Sequence, residues 1–512
     1  MQIYSDKCFE KPVRIIEAEE NLQEALNEID KLRKKYFLLG YITYDFKKLY
    51  FEVFDKYKKY TPAKSKQLGT IIRPKITKEQ YINAIEKIKQ YISEGVTYEV
   101  NYTYPSEVLT NLDGIELFEA LLDKQKTPYN TFIKNKYTTL LSFSPELFFR
   151  LEGRKITTKP MKGTAPKLDD GNVGEGRDFL YNDIKNRAEN IMIVDLLRND
   201  LGRIAKTGTV KVNKLFEIEE HPTVYQMTSE VSAILEDRIS LFDIFKAIFP
   251  CGSITGAPKV STMKVIDELE PFDRNLYCGA IGYLSPDICE FSVPIRILYG
   301  NNHKYTYHAG GAVVWDSNAE DEWEETLTKT KFLQTDFQLI ETGTDDWENH
   351  IQRMKKSAAA LNFKWNSSIK NIKGTKRVLL NRDGSFEIQE KTFLPIISNK
   401  IRLGRKTNSA NPFLYHKTTI RESAPDDIFD IIGINERGEI TEGTFTNIAV
   451  QINGELYTPP VECGLLAGTF RAKLLEQGKI KEKVLYPSDL EKAEKIFCFN
   501  SVRKMVEVEL CS

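Results

Sequence analysis

Histidine and cysteine are scarce in this 512-residue chain, which has 5 of the first and 7 of the second. The cysteines (Cys8, Cys251, Cys278, Cys289, Cys463, Cys498 and Cys511) are odd in number and include no Cys-x-x-Cys pair. That excludes a disulfide framework or a zinc site as the organising feature and fits reduced thiols. With no His-x-x-x-His either, any metal is expected to be a hard ion held by carboxylates, and magnesium is the expectation. Neither sign of charge is in excess: 72 Lys+Arg against 73 Asp+Glu leave a net charge of -1. A concentrated basic face is therefore not expected, and nucleic acid is not an expected partner. No run approaches the ~20 apolar residues of a membrane helix, and the opening MQIYSDKCFEKPVRIIEAEE lacks the apolar core of a signal peptide. The expectation is a cytoplasmic protein without a membrane partner. Internal repeats and low-complexity linkers are also missing.

What is present suits a globular protein of two or three units, with 41% hydrophobic and 28% charged residues. Texture changes near residue 335. Before it, strand-like TLLSFSPELFFRLEG and LYCGAIGYLS alternate with amphipathic helices such as KEQYINAIEKIKQYISEG, where Tyr81, Ile82, Ile85, Ile88 and Ile92 recur at helical spacing. After it come one helix, WENHIQRMKKSAAALNF, and hairpin signals at Asp383-Gly384, Arg437-Gly438 and Asn453-Gly454. An α+β chain is expected, divided into 1–334 and a smaller, β-rich 335–512.

Three carboxylates bear on the metal. In DFLYNDIKNRAENIMIVDLLRND, Glu189 lies in line with Met192, Ile193 and Leu196, so it is expected to point inward. In DSNAEDEWEETLTKT, Ser317 and Glu320 read as a capping box, which places Glu322 and Glu325 on one face of the following helix. Inward carboxylates from two helices suit an oxygen-liganded Mg²⁺ with positions open for substrate. Solvated helix-face acids are the ordinary alternative for each.

The stretch from Ile72 to about Leu333 resembles the chorismate-utilising enzymes. The resemblance rests on YEVNYTYP (98–105), SPELFF (144–149), KPMKGTAP (159–166), RAENIMIVDLLRNDLGRI (187–204), FPCGSITGAPK (249–259), CGAIGYLS (278–285), PIRIL (294–298) and HAGGAVVWDS (308–317). It implies an α/β/β/α sandwich with its active site between the sheets, Mg²⁺ at Glu189 and Glu325 with Glu322 nearby, and substrate carboxylates held by Gly163, Thr164, Tyr283, Arg296, Gly310 and Gly311. Lys162 decides the branch. Relatives that functionalise C2 usually have Ala in this P-x-A-G-T position, whereas aminodeoxychorismate synthases resemble this chain in having Lys. That implies a nucleophilic lysine, amination at C4, and Glu146 as the acid for the departing hydroxyl. Gln226, where several relatives have His, and Ala312, in place of a third glycine, depart from the pattern. No G-x-C-x-G elbow of a glutamine amidotransferase is found, so ammonia is expected from a separate subunit.

From about Asp336 onward the chain resembles the fold-type IV pyridoxal phosphate enzymes, through LIET (339–342), HIQRM (350–354), LYHKTT (414–419), GEITEGTFTNI (438–448), GLLAGTFR (464–471) and FNSVRKMVEV (499–508). The resemblance implies covalent attachment of pyridoxal phosphate to Lys417 and a pyridine-nitrogen partner in Glu442. It also implies a phosphate site at Arg353, Thr469 and Ser501, with Asn447 as buttress. Glu442 is expected on a hairpin strand after the Arg437-Gly438 turn. Together the halves suggest synthesis of p-aminobenzoate: amination of chorismate, then elimination of pyruvate. The interval between Lys417 and Glu442 is shorter than in most relatives. Two alternatives stay open, a component I like that of anthranilate synthases with a class IV aminotransferase domain attached, and a second half that binds without catalysing.

Overall fold

The structure is a computed structural model that describes residues 1–166, 175–220, 224–393, 395–421, 424 and 427–511. Two ten-stranded sheets make up its first part. The first runs Gly256–Ala257, Glu99–Thr110, Lys304–Val313, Ile297–Asn301, Thr139–Ser144, Tyr129–Lys134, Gln2–Tyr4, Lys7–Phe9, Lys58–Lys59, with Thr70–Pro74 also on Glu99–Thr110. The second runs Met161–Pro166, Val224–Ile234, Lys155–Lys159, Leu147–Glu152, Cys289–Ser292, Ala280–Leu284, Phe37–Ile42, Lys48–Phe54, Arg14–Glu19, with Lys211–Glu220 on Val224–Ile234. Residues before 72, to which the sequence lent no site, thus complete both sheets.

Helices cover the outer faces. Lys78–Ser93 buries Tyr81, Ile85 and Ile88 in one core with Tyr102, Tyr104, Tyr305 and Trp323. Its start is fixed by a Thr77–Gln80 capping box. On the other side, Gln23–Leu32, Ile184–Gly202 and Leu241–Ile248 pack Leu26, Val194 and Phe245 against Phe51, Phe149 and Phe291. The result is an α/β/β/α sandwich.

The expected capping box at Ser317 is replaced by a different cap. Asn318 is the N-cap of Ala319–Thr328, its side chain accepting from the amides of Glu320 and Asp321. Asn reaches two orphan helix donors from one position, and Ser317 Oγ instead accepts from the Val314 amide at 3.1 Å. Glu322 and Glu325 keep their place on this helix.

After residue 335 the chain forms a three-stranded sheet (Leu339–Gly343, Lys376–Leu380, Phe386–Glu390) under the helix Trp347–Ala360, and a seven-stranded sheet that includes Lys400–Lys406, Asn447–Ile452 and Lys495–Asn500. Gly384, Gly438, Asn453 and Gly454 all have positive φ, as turn residues at the three hairpin signals must. Glu442 is not on a regular strand. Past the Arg437-Gly438 turn the chain makes only an isolated bridge at Ile440, and Glu442 is tied back through its carbonyl, which accepts from the Gly433 amide at 2.9 Å. Two further short helices, Thr469–Glu476 and Pro487–Glu491, carried no clear periodic signal.

The two parts touch along Thr70–Pro74. Ile71 enters the core formed by Phe337, Leu339, Trp347 and Phe413. Arg73 donates to the Ala360 carbonyl, and Asn411 Nδ2 to the Asn111 carbonyl at 3.1 Å. Gly69 lies so close to Ile420 and Phe413 that a Cβ there would sit 2.2 Å from Ile420 Cδ1.

One buried polar link holds the first sheet to its helix and loop. Arg274 donates to both Glu270 oxygens, at 2.9 and 2.7 Å, and to the carbonyls of Ile254 (2.8 Å) and Asn101 (2.6 Å). Glu270 in turn accepts from the amide and hydroxyl of Thr103. Removing one member leaves the other's charge buried and unpaired, so Arg274→Ala should lose about 3–5 kcal/mol in urea denaturation. A loss below about 1 kcal/mol would show that the link is dispensable.

Candidate functional sites

Between the two large sheets, Lys162 is brought to Glu99. Lys162 lies on the strand Met161–Pro166, and Glu99 begins the strand Glu99–Thr110. The Lys162 Nζ donates to Glu99 Oε1 at 2.6 Å, with both side chains withdrawn from water. Burial disfavours the ammonium, yet Glu99 and, more remotely, Glu189 and Glu146 hold the Lys162 pKa above its ordinary value. Among the described residues Glu99 Oε2 has no hydrogen-bond partner. Nothing in the sequence motifs singled Glu99 out. It stood in the quoted segment YEVNYTYP (98–105) with no role assigned to it.

Glu146 sits at the bend between Thr139–Ser144 and Leu147–Glu152, 3% exposed, and accepts from Ser253 Oγ at 2.5 Å. Burial pushes its pKa up to about 7, against the opposing pull of Ser253 and Lys162. A carboxyl that is protonated near neutrality is poised to donate.

Glu189 points toward the same region from Ile184–Gly202. Burial pushes it up to about 7, with Lys162 opposing and Glu99 and Glu322 adding to the rise. Over Gly311 stand Glu322 Oε2 and Glu325 Oε1, 3.1 and 3.7 Å from where a Cβ would be. Burial and the Glu325 charge raise Glu322. Burial works against ionised Glu325 too, but Lys329, bonded to it at 2.7 Å, keeps its pKa low. No closed cage of three or more acidic or imidazole ligands exists among the described residues. Carboxylates near enough to raise one another, without a cage, fit a hard cation that takes its remaining ligands from substrate oxygens.

Gly163 has φ +89° and no room for a side chain, since its Cβ would lie 2.7 Å from Asn186 Oδ1. The Gly310 carbonyl accepts from Lys329 Nζ at 2.7 Å. Arg296 holds the left-handed region at φ +53°, an uncommon conformation for a residue with a side chain. Burial depresses its guanidinium pKa, and among the described residues it makes no ion pair. The side chain of Thr164 lies outside the described residues. Tyr283 is stacked on Tyr4 at 4.7 Å and beside Phe9, in a cluster that includes the Tyr4–Glu290–Arg150 chain, and no contact brings it to Lys162. Gln226 is buried and pairs with Thr164 in strand register, while Ala312 pairs with Asn101.

A second cleft, after residue 335, collects Arg353, Lys417, Glu442, Asn447, Thr469 and Ser501. Its base is a network the motifs contained but did not explain. Glu341 accepts from Arg353 Nε and NH2 at 2.8 and 2.7 Å and bonds His350 Nδ1 at 2.7 Å, and His350 Nε2 reaches Thr469 Oγ1 at 3.3 Å. Although burial opposes it, Arg353 and His350 hold the Glu341 carboxyl far below its usual range. Among the described residues Lys417 has no side-chain bond, and burial pushes its pKa down to about 7. Burial pushes Glu442 up to about 7, opposed by Arg421 and Arg405. Asn447 Nδ2 donates to Glu442 Oε2 at 3.1 Å and to the Leu466 carbonyl at 3.0 Å. Ser501 Oγ donates to the Thr342 carbonyl at 3.2 Å.

This cleft fits an aldehyde cofactor with a phosphate. Burial draws its lysine's pKa down toward neutrality, and Arg353 lies on its wall. The helix Thr469–Glu476 begins there at Gly468 with no side-chain cap, leaving backbone donors for an anion. Gly468 is obligatory for space, because a Cβ would lie 2.1 Å from Asn447 Oδ1.

The sequence model of the chorismate binding enzymes matches residues 52–335, and that of the class IV amino-transferases matches 402–511. The chain belongs to the chorismate binding enzyme family. It is 39% identical over 274 residues to aminodeoxychorismate synthase component 1 of Escherichia coli K12, covering 53% of this chain and 60% of that protein. Against anthranilate synthase component 1 of Aquifex aeolicus it is 34% identical over 281 residues, covering 54% of this chain and 56% of that protein. The chain thus spans about 60% of the length of the curated relatives it matches. The crystal structure of anthranilate synthase component I from Streptococcus pneumoniae has the same fold, with a TM-score of 0.57 at 23% identity, covering 65% of this chain and 92% of that one. No helix of the described residues is long and apolar enough to cross a membrane.

If Lys417 is the cofactor lysine, pyridoxal phosphate added to the purified full chain should give a visible absorption band. Borohydride reduction followed by peptide mapping should then place the label on Lys417, ahead of the many exposed lysines that stay protonated at pH 7.5. Label spread over surface lysines would refute the assignment.

Proposed function

We propose that the chain makes p-aminobenzoate from chorismate and ammonia in two steps, the first half acting as an aminodeoxychorismate synthase and the second as an aminodeoxychorismate lyase. The observation that carries the first step is the buried Lys162–Glu99 pair beside the raised carboxyl of Glu146. Glu99 is positioned to take a proton from Lys162, which frees an amine to attack C2 of the ring. Glu146 donates its proton to the hydroxyl leaving C4 as the ring double bond shifts. Ammonia then adds at C4, the double bond shifts back, and the Lys162 amine leaves from C2, so that the amine replaces the hydroxyl and the lysine is regenerated. Glu189, Glu322 and Glu325 would hold Mg²⁺, which when bound supplies positive charge for the ring carboxylate. Arg296, unpaired and half-buried, suits the side-chain carboxylate. A component 1 relative at 39% identity supports this branch, and Lys162 favours it over the anthranilate synthases. Ammonia is assigned to a separate glutamine amidotransferase.

For the second step, pyridoxal phosphate when bound supplies an electron-accepting ring. Arg353, Thr469, Ser501 and the start of the Thr469–Glu476 helix would hold its phosphate, and Glu442, fixed by Asn447, would face its ring nitrogen. Lys417 then removes the proton from C4 of the substrate, and pyruvate leaves as its enol while the six-membered ring becomes aromatic. The domain division is assigned at residues 334 and 335, the site of the chain's transition between sheets.

The uncoupling experiment tests both halves. With chorismate, Mg²⁺ and ammonium, the intact chain should release p-aminobenzoate and pyruvate, whereas Lys417→Ala should accumulate 4-amino-4-deoxychorismate at an almost unchanged rate of chorismate consumption. A Lys417→Ala protein that still makes p-aminobenzoate would remove the lyase from the second half.

Lys162→Ala should abolish C4 amination and retain Mg²⁺-dependent chorismate binding. Near-normal 4-amino-4-deoxychorismate formation by this variant would rule out the covalent route. Glu189→Gln and Glu325→Gln should each raise the magnesium concentration needed for half-maximal activity by about tenfold or more, since each removes a formal charge from the cation site. An unshifted titration curve would return both to ordinary helix-face acids.

A further inference from the structure

Lys417 stands on no helix or strand of its own. Its stretch of chain follows the short turn Pro412–Tyr415 and is tied along one edge. There the Ile340 amide donates to the Lys417 carbonyl at 3.0 Å and the Thr419 amide to the Gln338 carbonyl at 2.9 Å, with an isolated bridge between Leu339 and Thr418. Sites on loops are less precise than sites on regular elements, and a side chain as long as lysine magnifies any pivot of its backbone about such an edge. What seats the stretch from its other side therefore matters to where the amine stands.

That seat comes from the first half. Phe413 and Ile420, which flank Lys417, both rest on Gly69: a Cβ there would lie 2.2 Å from Ile420 Cδ1 and 2.9 Å from Phe413 Cε1. Gly69 cannot retreat. Its amide donates to Asn111 Oδ1 at 2.7 Å, its carbonyl accepts from the Asn111 amide at 3.2 Å, and the Asn111 carbonyl accepts in turn from Asn411 Nδ2 at 3.1 Å. The following residues are fixed as well. Arg382 donates to the Thr70 carbonyl at 3.2 Å, and Ile71 is fully buried in one core with Phe337 and Phe413. Gly69 is not in the left-handed region, so what this position excludes is volume and not a backbone conformation. An interior at crystal density passes a displacement on to its neighbours, and the neighbours here are the flanks of Lys417.

We propose that Gly69 is a positioning residue for the second site: its bare Cα, clamped by Asn111, is the floor on which Phe413 and Ile420 set the placement of Lys417. A site whose reacting groups all come after residue 335 is thereby completed by the first half. The chemical consequence rests on the reading of Lys417 as the cofactor lysine; the seat itself does not.

Two readouts on the full chain test this in Gly69→Ala and Gly69→Val. The first is borohydride trapping of pyridoxal phosphate on Lys417, followed by peptide mapping. The concentration needed for half-maximal trapping should rise from wild type to Gly69→Ala to Gly69→Val, by roughly 10- to 100-fold in the last, since a misplacement of about 1 Å can cost about 10²-fold. Chorismate consumption should keep its wild-type rate. Adding Ile420→Ala to Gly69→Val should recover most of the loss, whereas damage through general destabilisation would be deepened by deleting further core carbons. Gly69→Ala with Ile420→Val, which removes the one carbon in the way, repeats the test in case Val prevents folding. The second readout uses the chain without cofactor: hydrogen exchange at the Ile340 and Thr419 amides should quicken several-fold in Gly69→Val and slow again in the double variant. Where the wild-type chain is labelled at Lys417, unchanged trapping in Gly69→Val overturns the proposal, as does a loss that the Ile420 variants fail to repair. Where the wild-type chain takes no label at Lys417, the cofactor reading fails; quickened exchange that Ile420→Ala reverses then leaves the seat standing, and unchanged exchange overturns the seat too.

Discussion

Everything at the first site depends on one buried ammonium group. Lys162 is the cation against which Glu99, Glu146 and Glu189 are balanced, and these four side chains come from four separate elements: two strands of different sheets, a bend and a helix. Burying like charges together costs far more than a fold of this size can absorb unless a counter-charge sits among them. The arrangement therefore works as one electrostatic unit. Its partition of protons, with Lys162 held up by Glu99 while Glu146 and Glu189 are pushed toward neutrality, follows from who is near whom. The contact between the two sheets is what supplies that proximity.

The second site solves the opposite problem. Burial draws Lys417 toward its neutral form, and among the described residues no acid bonds to it. Glu341, the acid whose charge acts on Lys417, is bonded to Arg353 and His350 instead. Glu442 is held by an amide, Asn447, which orients a carboxylate without adding charge.

Much of this was legible in the sequence because chemistry-bearing residues fall in short ordered motifs: Lys162 next to Gly163, Glu322 and Glu325 one turn apart, Lys417 after an aromatic run. Periodicity located the helix Lys78–Ser93, and Asn-Gly and Asp-Gly pairs located the turns. What escaped was set by tertiary structure. Glu99 meets Lys162 across 63 positions of chain, a proximity that only the pairing of distant strands creates. Glu341 and His350 stood in quoted motifs, but their bond needs a strand and a helix packed face to face. Asn318 displaced Ser317 as the helix cap because two adjacent residues of suitable type compete and one-residue geometry decides. Tyr283, expected at the substrate, is turned toward Tyr4, whose strand comes from a stretch that the motifs left unread.

The strand Glu99–Thr110 has Glu99 at one end and, at the other, Thr110 paired with Thr70 beside the Ile71 that enters the core of the second part, a separation of roughly 36 Å at about 3.3 Å per residue. Points that far apart on one strand cannot be brought together by bending it, so the Lys162 pocket and the seam between the two parts keep their separation whatever moves around them.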